Sequence, residues 1–217
     1  MRPATFGSAP ALVAEAHAPR GTIVLLHGLG ADALAMHKEL ALLRGAGFHA
    51  VGIDAPLHGR RYCDRRDHRW VHERDTILEE LVDGSADELP GILDGLAAQG
   101  FAGPYVGVGI SLGGFSLWRG MAREPRLSHG CVMLGSPTLP GQPLPPAEDY
   151  AGRRLLCIQA EHDEAVEGGP TYRFVDRLRA RGEDVELEIL EGSMHSVPEA
   201  QWWGAWGRML HWLGAVA

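Results

Sequence analysis

Cysteine is scarce in this chain: three residues among 217, at Cys63, Cys131 and Cys157. An odd and widely scattered set offers neither a disulfide framework nor a metal-ligand spacing. Cys131 and Cys157 fall inside apolar runs, where a thiol packs as a small hydrophobe. Long apolar stretches are missing too. None approaches the ~18 residues that read as a membrane-crossing helix, and residues 1–10 lack the apolar core of a secretory signal. Together these absences lead to the expectation of a soluble, cytoplasmic protein with no membrane partner. Positive charge is in deficit, with 20 Lys and Arg against 28 Asp and Glu and a formal net charge of −8. With no basic stripe carrying interleaved aromatics, nucleic acid is not an expected partner. Repeats and low-complexity linkers are also lacking. A chain of 217 residues, 45% of them hydrophobic, is therefore expected to form one domain over 1–217 with a full core.

What the chain does have is alternation. Residues 11–16 suggest a first strand. Thr22–Leu26 is a strong β-branched run ended by His27-Gly28-Leu29-Gly30, and residues 33–44 then read as helix up to Gly45 and Gly47. Further strands are expected over 48–53, 105–110, 130–134, 155–159 and 185–190. Helices are expected over 76–82, 87–98, 112–123, 171–180 and 202–213. Residues 137–146 are too rich in proline for a central strand. Short, nearly continuous apolar runs alternating with helices predict an α/β fold: a mostly parallel central sheet with helices on both faces. Such sheets carry their ligands at the carboxyl ends of the strands.

At one of those ends stands Gly109-Ile110-Ser111-Leu112-Gly113. A serine that closes a strand and opens a helix sits on a sharp turn with unfavourable torsions, and glycine on either side removes the Cβ atoms that would collide. The hydroxyl is left at the tip of the turn, in the place of a nucleophile. It needs a base, for which histidine is suited, and the imidazole needs a carboxylate to hold its tautomer. Asp163 follows the strand at 155–159, and His195 follows the strand at 185–190. Glu161 and Glu164 flank Asp163, so Glu161 stands as a rival acid.

The order Ser, Asp, His in these contexts resembles the α/β-hydrolases, specifically compact esterase or dienelactone-hydrolase-like members without a large cap. The resemblance runs from Thr22 to the C-terminus. It implies Ser111 as nucleophile, Asp163 as acid and His195 as base. His27-Gly28-Leu29-Gly30 is similar to the family's oxyanion loop, which implies the backbone N–H groups of Leu29 and Leu112 as oxyanion donors. The stretch Asp54-Ala55-Pro56-Leu57-His58-Gly59 resembles the family's next loop. His27, Gly28, Gly30 and His58 are accordingly candidates for the substrate surroundings, with His27 expected to shape the loop rather than to move protons. Trp202 or Trp203, close to His195 in sequence, is a further candidate. One departure is Ala160, where family members often carry glycine before the acid.

Two other readings compete. Gly28-Leu29-Gly30-Ala31-Asp32-Ala33 after a strand, with Asp54 ending the next, fits a dinucleotide fingerprint, but leaves Ser111, Asp163 and His195 unexplained. His68 and His72 are spaced for a metal on one helix face, yet the surrounding acids and arginines fit a solvated charged segment. A third, non-catalytic reading keeps the fold as a binding module. The preferred expectation is a serine hydrolase that needs no metal or organic cofactor. Its expected partner is a small-molecule ester, with thioesters and lactones as alternatives. Only residues 137–154 separate two late strands, too few for a cap domain. The pocket is thus expected to be open or shielded by an excursion within 60–84, which favours small soluble esters with short acyl chains.

Overall fold

Six of the strands form a parallel array, the central ones apolar on both faces and the last apolar on one. These are β3 (Thr22–Leu26), β4 (His49–Ile53), β5 (Tyr105–Ile110), β6 (Leu127–Met133), β7 (Arg154–Ala160) and β8 (Asp184–Leu190). Every residue of β3 and β5 is buried, as expected for strands covered by helices on both sides. The computed structural model describes residues 1–214; the last three residues of the expected domain lie outside the described residues. Two further strands, β1 (Arg2–Phe6) and β2 (Ala9–Ala14), form an antiparallel ribbon on β4, giving an eight-stranded order β1-β2-β4-β3-β5-β6-β7-β8. Sequence reading expects a single strand at 11–16. The structure has two, joined at Gly7-Ser8; Pro3 lies in β1, the edge strand, which does not need every N–H, and Pro10 lies near the start of β2.

The helices divide between the faces. α1 (His37–Gly45) and α6 (Glu199–Gly214) bury Leu40, Leu43, Trp206, Met209 and Trp212 against one face. On the other face, α3 (Arg74–Ala98), α4 (Leu112–Arg123) and α5 (Gly168–Ala180) bury Leu89, Leu93, Trp118, Met121, Phe174 and Leu178. The expected helices 76–82 and 87–98 are one 25-residue helix. Gly84 and Pro90 read as an interruption, but the buried series Ile77, Leu81, Val82, Leu89, Ile92, Leu93 and Leu96 keeps helical spacing across them. Burial of that face overrides the local cost.

The charged segment before α3 forms a 3₁₀ turn (Gly59–Arg61) and α2 (Arg65–His72), which buries none of its residues. His68 and His72 are neighbours there, with ring centroids 4.7 Å apart. Among the described residues, no group of three or more His, Cys, Asp or Glu is placed to hold a metal. No described helix is long and apolar enough to cross a membrane. A smaller apolar cluster, with Ile77, Leu81, Leu112, Phe115, Leu139 and Val166 at its centre and Trp70 and Leu78 against it, lies where α2 and α3 meet the start of α4.

Candidate active site

β5 ends at Ile110 and α4 begins at Leu112, so Ser111 alone makes the turn. Its φ of 52° and ψ of −112° lie outside the regions a non-glycine residue favours. A Cβ on Gly109 would come 2.3 Å from the Gly113 carbonyl oxygen, and one on Gly113 would come 2.1 Å from that of Leu26. Neither position admits a side chain. The turn is tied down on both sides: Ser111 N–H donates to Met133 O at 2.9 Å, and Gly113 N–H donates to His27 O at 3.1 Å.

The loops after β7 and β8 bring two more groups to this carboxyl edge. His195 Nε2 is 3.0 Å from Ser111 Oγ. Its Nδ1 is 2.9 Å from each carboxylate oxygen of Asp163. An imidazole nitrogen facing a carboxylate carries the proton, which leaves Nε2 free to accept from the serine hydroxyl. The Asp163 side chain is 1% exposed, and its charge is met by the N–H groups of Val166 at 2.7 Å and Ala165 at 3.0 Å. The neighbouring glutamates hold the histidine loop. Glu164 accepts the His195 N–H at 2.9 Å, and Glu161 accepts the Gly192 N–H at 2.8 Å. The amide bonded to Glu164 holds its carboxyl below the usual range. Glu161, the rival acid, thus faces a backbone amide and not the imidazole.

The loop after β3 is braced from beneath. His27 is 1% exposed. Its Nδ1–H donates to Gly28 O at 2.8 Å, and its Nε2 accepts the Ala55 N–H at 3.1 Å. With both nitrogens committed and burial lowering its pKa, the ring is neutral. The buried Asp54 carboxylate accepts from Ala33 N–H at 2.9 Å and Arg60 N–H at 3.0 Å, so it joins two loops and is not open to a ribose. Above this brace, the Leu29 and Leu112 amides have no acceptor among the described residues, and both residues line the same hollow as Ser111 and His195.

Two hollows meet at Ser111 and His195. One, of about 440 Å³, is bounded by Leu29, Leu112, Phe115, Val166, Trp70, Arg74 and Leu78. The other, of about 280 Å³, is bounded by Gly28, Met36, Ile110, Leu134, Val197 and Trp202. Of the expected substrate surroundings, Gly28 and Trp202 therefore face the site. His27 and His58 lie buried beneath it, Gly30 is exposed beside it, and Trp203 lines neither hollow. Consecutive residues on a helix point about 100° apart, so Trp202 and Trp203 cannot share one outlook. His58 is fully buried; its Nδ1–H donates to Pro56 O at 2.8 Å, its Nε2 has no partner among the described residues, and burial pushes its pKa down to about 4. Sequence reading misses Trp70, Leu78 and Phe115 as lining residues. The available signal was a tryptophan inside a run of charges.

A family model described as the alpha/beta hydrolase family matches residues 23–216. A search of curated proteins finds no match. Among solved structures, the chain is similar to TT1662 from Thermus thermophilus, at 21% identity over 98% of this chain and 99% of that one, with a TM-score of 0.75. It is also similar to a cold-adapted esterase from an Arctic intertidal metagenomic library, at 17% identity over 98% and 91%, TM-score 0.69. A third is esterase PE8, at 22% identity over 93% and 96%, TM-score 0.59. At these identities the likeness speaks to the fold.

Proposed function

The chain belongs to the alpha/beta hydrolase family, and from that premise we propose that it is a serine carboxylesterase acting on small ester substrates through an acyl-enzyme. The observation that carries this reading is the unbroken relay from Ser111 Oγ to His195 Nε2 at 3.0 Å and from His195 Nδ1 to Asp163 at 2.9 Å. In this mechanism His195 takes the hydroxyl proton as Ser111 attacks the ester carbonyl. Asp163, bonded to Nδ1, stabilises the imidazolium that results. The tetrahedral oxyanion is received by the Leu29 and Leu112 amides, whose lack of other acceptors supports this role. The imidazolium then gives its proton to the departing alcohol. Water, deprotonated by the same nitrogen, releases the acid and restores Ser111. No step requires a metal or an organic cofactor. The three free thiols support a reducing, cytoplasmic setting.

The test combines labelling with turnover. A fluorophosphonate probe should modify Ser111 in the wild type and leave Ser111→Ala unlabelled. Turnover of p-nitrophenyl acetate should fall by roughly 10⁴-fold or more in Ser111→Ala and His195→Ala, and somewhat less in Asp163→Asn. Full activity in Ser111→Ala would remove the serine from the chemistry. Matched oxygen esters and thioesters with one acyl group separate the esterase reading from a thioesterase.

A further inference from the structure

We propose that the acyl group of the substrate runs from Ser111 into the hollow roofed by α2 and α3 and on toward the hollow that adjoins it, so that the preferred esters carry medium-chain or arylalkyl acyl groups. This inference rests on the serine-hydrolase reading. The hollow at Ser111 measures about 440 Å³. A second hollow of about 400 Å³ adjoins it and shares Phe115, Pro140, Ala165 and Val166 as a common wall. Each is within the ~300–1,000 Å³ range of small-molecule sites, and an acetyl group would leave most of even the first unfilled.

The walls near Ser111 are apolar and already fixed. Leu112, Phe115 and Val166 are 2%, 8% and 6% exposed, so they need no ordering when a chain enters. The roof comes from Trp70 and Leu78, with the Arg74 guanidinium lying over the Trp70 ring at 5.4 Å. Leu139, Pro143 and Leu144 give the far hollow an apolar side, and Ser136, Thr138, Gln142, Glu167 and Arg173 give it a polar one.

Proton transfer orients the leaving group. The leaving alcohol must take its proton from His195 Nε2, so it departs toward the histidine loop. The hollow of about 280 Å³ is bordered by Val197 of that loop and by Trp202. Both hollows reach Ser111 and His195; the larger one, walled by Leu112 and Phe115, is assigned to the group that stays on the serine. Each methylene buried there should raise kcat/KM by up to about fourfold, until the cleft is full.

The experiment is a series of p-nitrophenyl esters from acetate to decanoate, kept monomeric, measured beside fluorophosphonate labelling of the same preparation. We expect kcat/KM to climb by at least roughly tenfold from acetate to hexanoate or octanoate, with no such climb when the alcohol of an acetate ester is lengthened instead. Leu144→Trp, which fills the far hollow, should lower the decanoate-to-butanoate ratio by roughly tenfold. Pro143→Trp, at an exposed position of the same hollow, reads the same ratio if Leu144→Trp folds poorly. A steady fall from acetate onward, a climb that follows the alcohol, or a ratio unmoved by both variants overturns the proposal while labelled Ser111 leaves the hydrolase reading standing. Absence of label on Ser111 overturns both.

Discussion

Ser111 holds a backbone conformation that costs it stability, with φ at 52° and ψ at −112°. Such a residue stores about 1–3 kcal/mol, kept in place by its surroundings. Glycine would adopt the same torsions without that strain, at an entropic cost of about 0.5–1 kcal/mol. Ser111→Gly should therefore raise the thermal midpoint while abolishing turnover, and calorimetry showing a lowered midpoint would mean that the turn is not strained. Gly113→Ala should behave in the opposite way, because its Cβ would meet Leu26 O at 2.1 Å; we expect a loss of several kcal/mol in urea unfolding. This part of the site is legible in the sequence, since the glycines and the serine that make the turn are five consecutive residues. Which acidic side chain reaches His195 is not legible from position alone; the family resemblance implies Asp163, and Asp163 is the one that meets the ring. Glu161, Asp163 and Glu164 are equivalent by position after β7, and only the path of the loop turns one toward the ring and two toward backbone amides.

At the scale of elements, the loops at the carboxyl edge are fastened to one another in pairs. Asp54 and His27 join the loops after β3 and β4; Glu161 and Glu164 join those after β7 and β8. Glu164 touches the His195 backbone and not its ring, so it positions the histidine. Glu164→Ala should lower kcat by roughly tenfold with little change in KM, and Glu164→Gln, whose amide oxygen also accepts, should restore most of it. Equal losses in both variants would point to charge and not to the hydrogen bond. The parallel strands are readable element by element because each is a short apolar run or, in β8, an alternation of acidic and apolar residues. The β1–β2 ribbon and the unbroken α3 are not. Their prolines and glycines signal interruption locally, and only pairing with β4 and burial against the sheet outweigh it.

For the whole molecule, acid stability follows from two histidines buried under the site. His58 has its pKa pushed down to about 4, and His27 is lowered as well. An unfolded chain binds protons on these rings from about pH 6.5, whereas the folded protein resists doing so on His58 until about pH 4. Between those values the unfolded state holds more protons, so stability falls as the pH drops. Urea midpoints should decline across this window, and His58→Gln should flatten the decline. A pH profile identical in the variant would assign the loss to other groups.

Motif and periodicity were sufficient to determine the α/β class and the sharp turn at Ser111, because each depends on residues close together in the chain or on a repeating pattern along it. Tertiary structure alone decided the rest: that Glu161 and Glu164 turn to backbone amides, that His27 and His58 are braces beneath the site, and that Trp70 of α2 and Leu78 of α3 border the hollow at Ser111. Those outcomes depend on contacts between segments tens of residues apart, and burial, free hydrogen-bonding partners and the volume left between side chains exist only once the chain has folded.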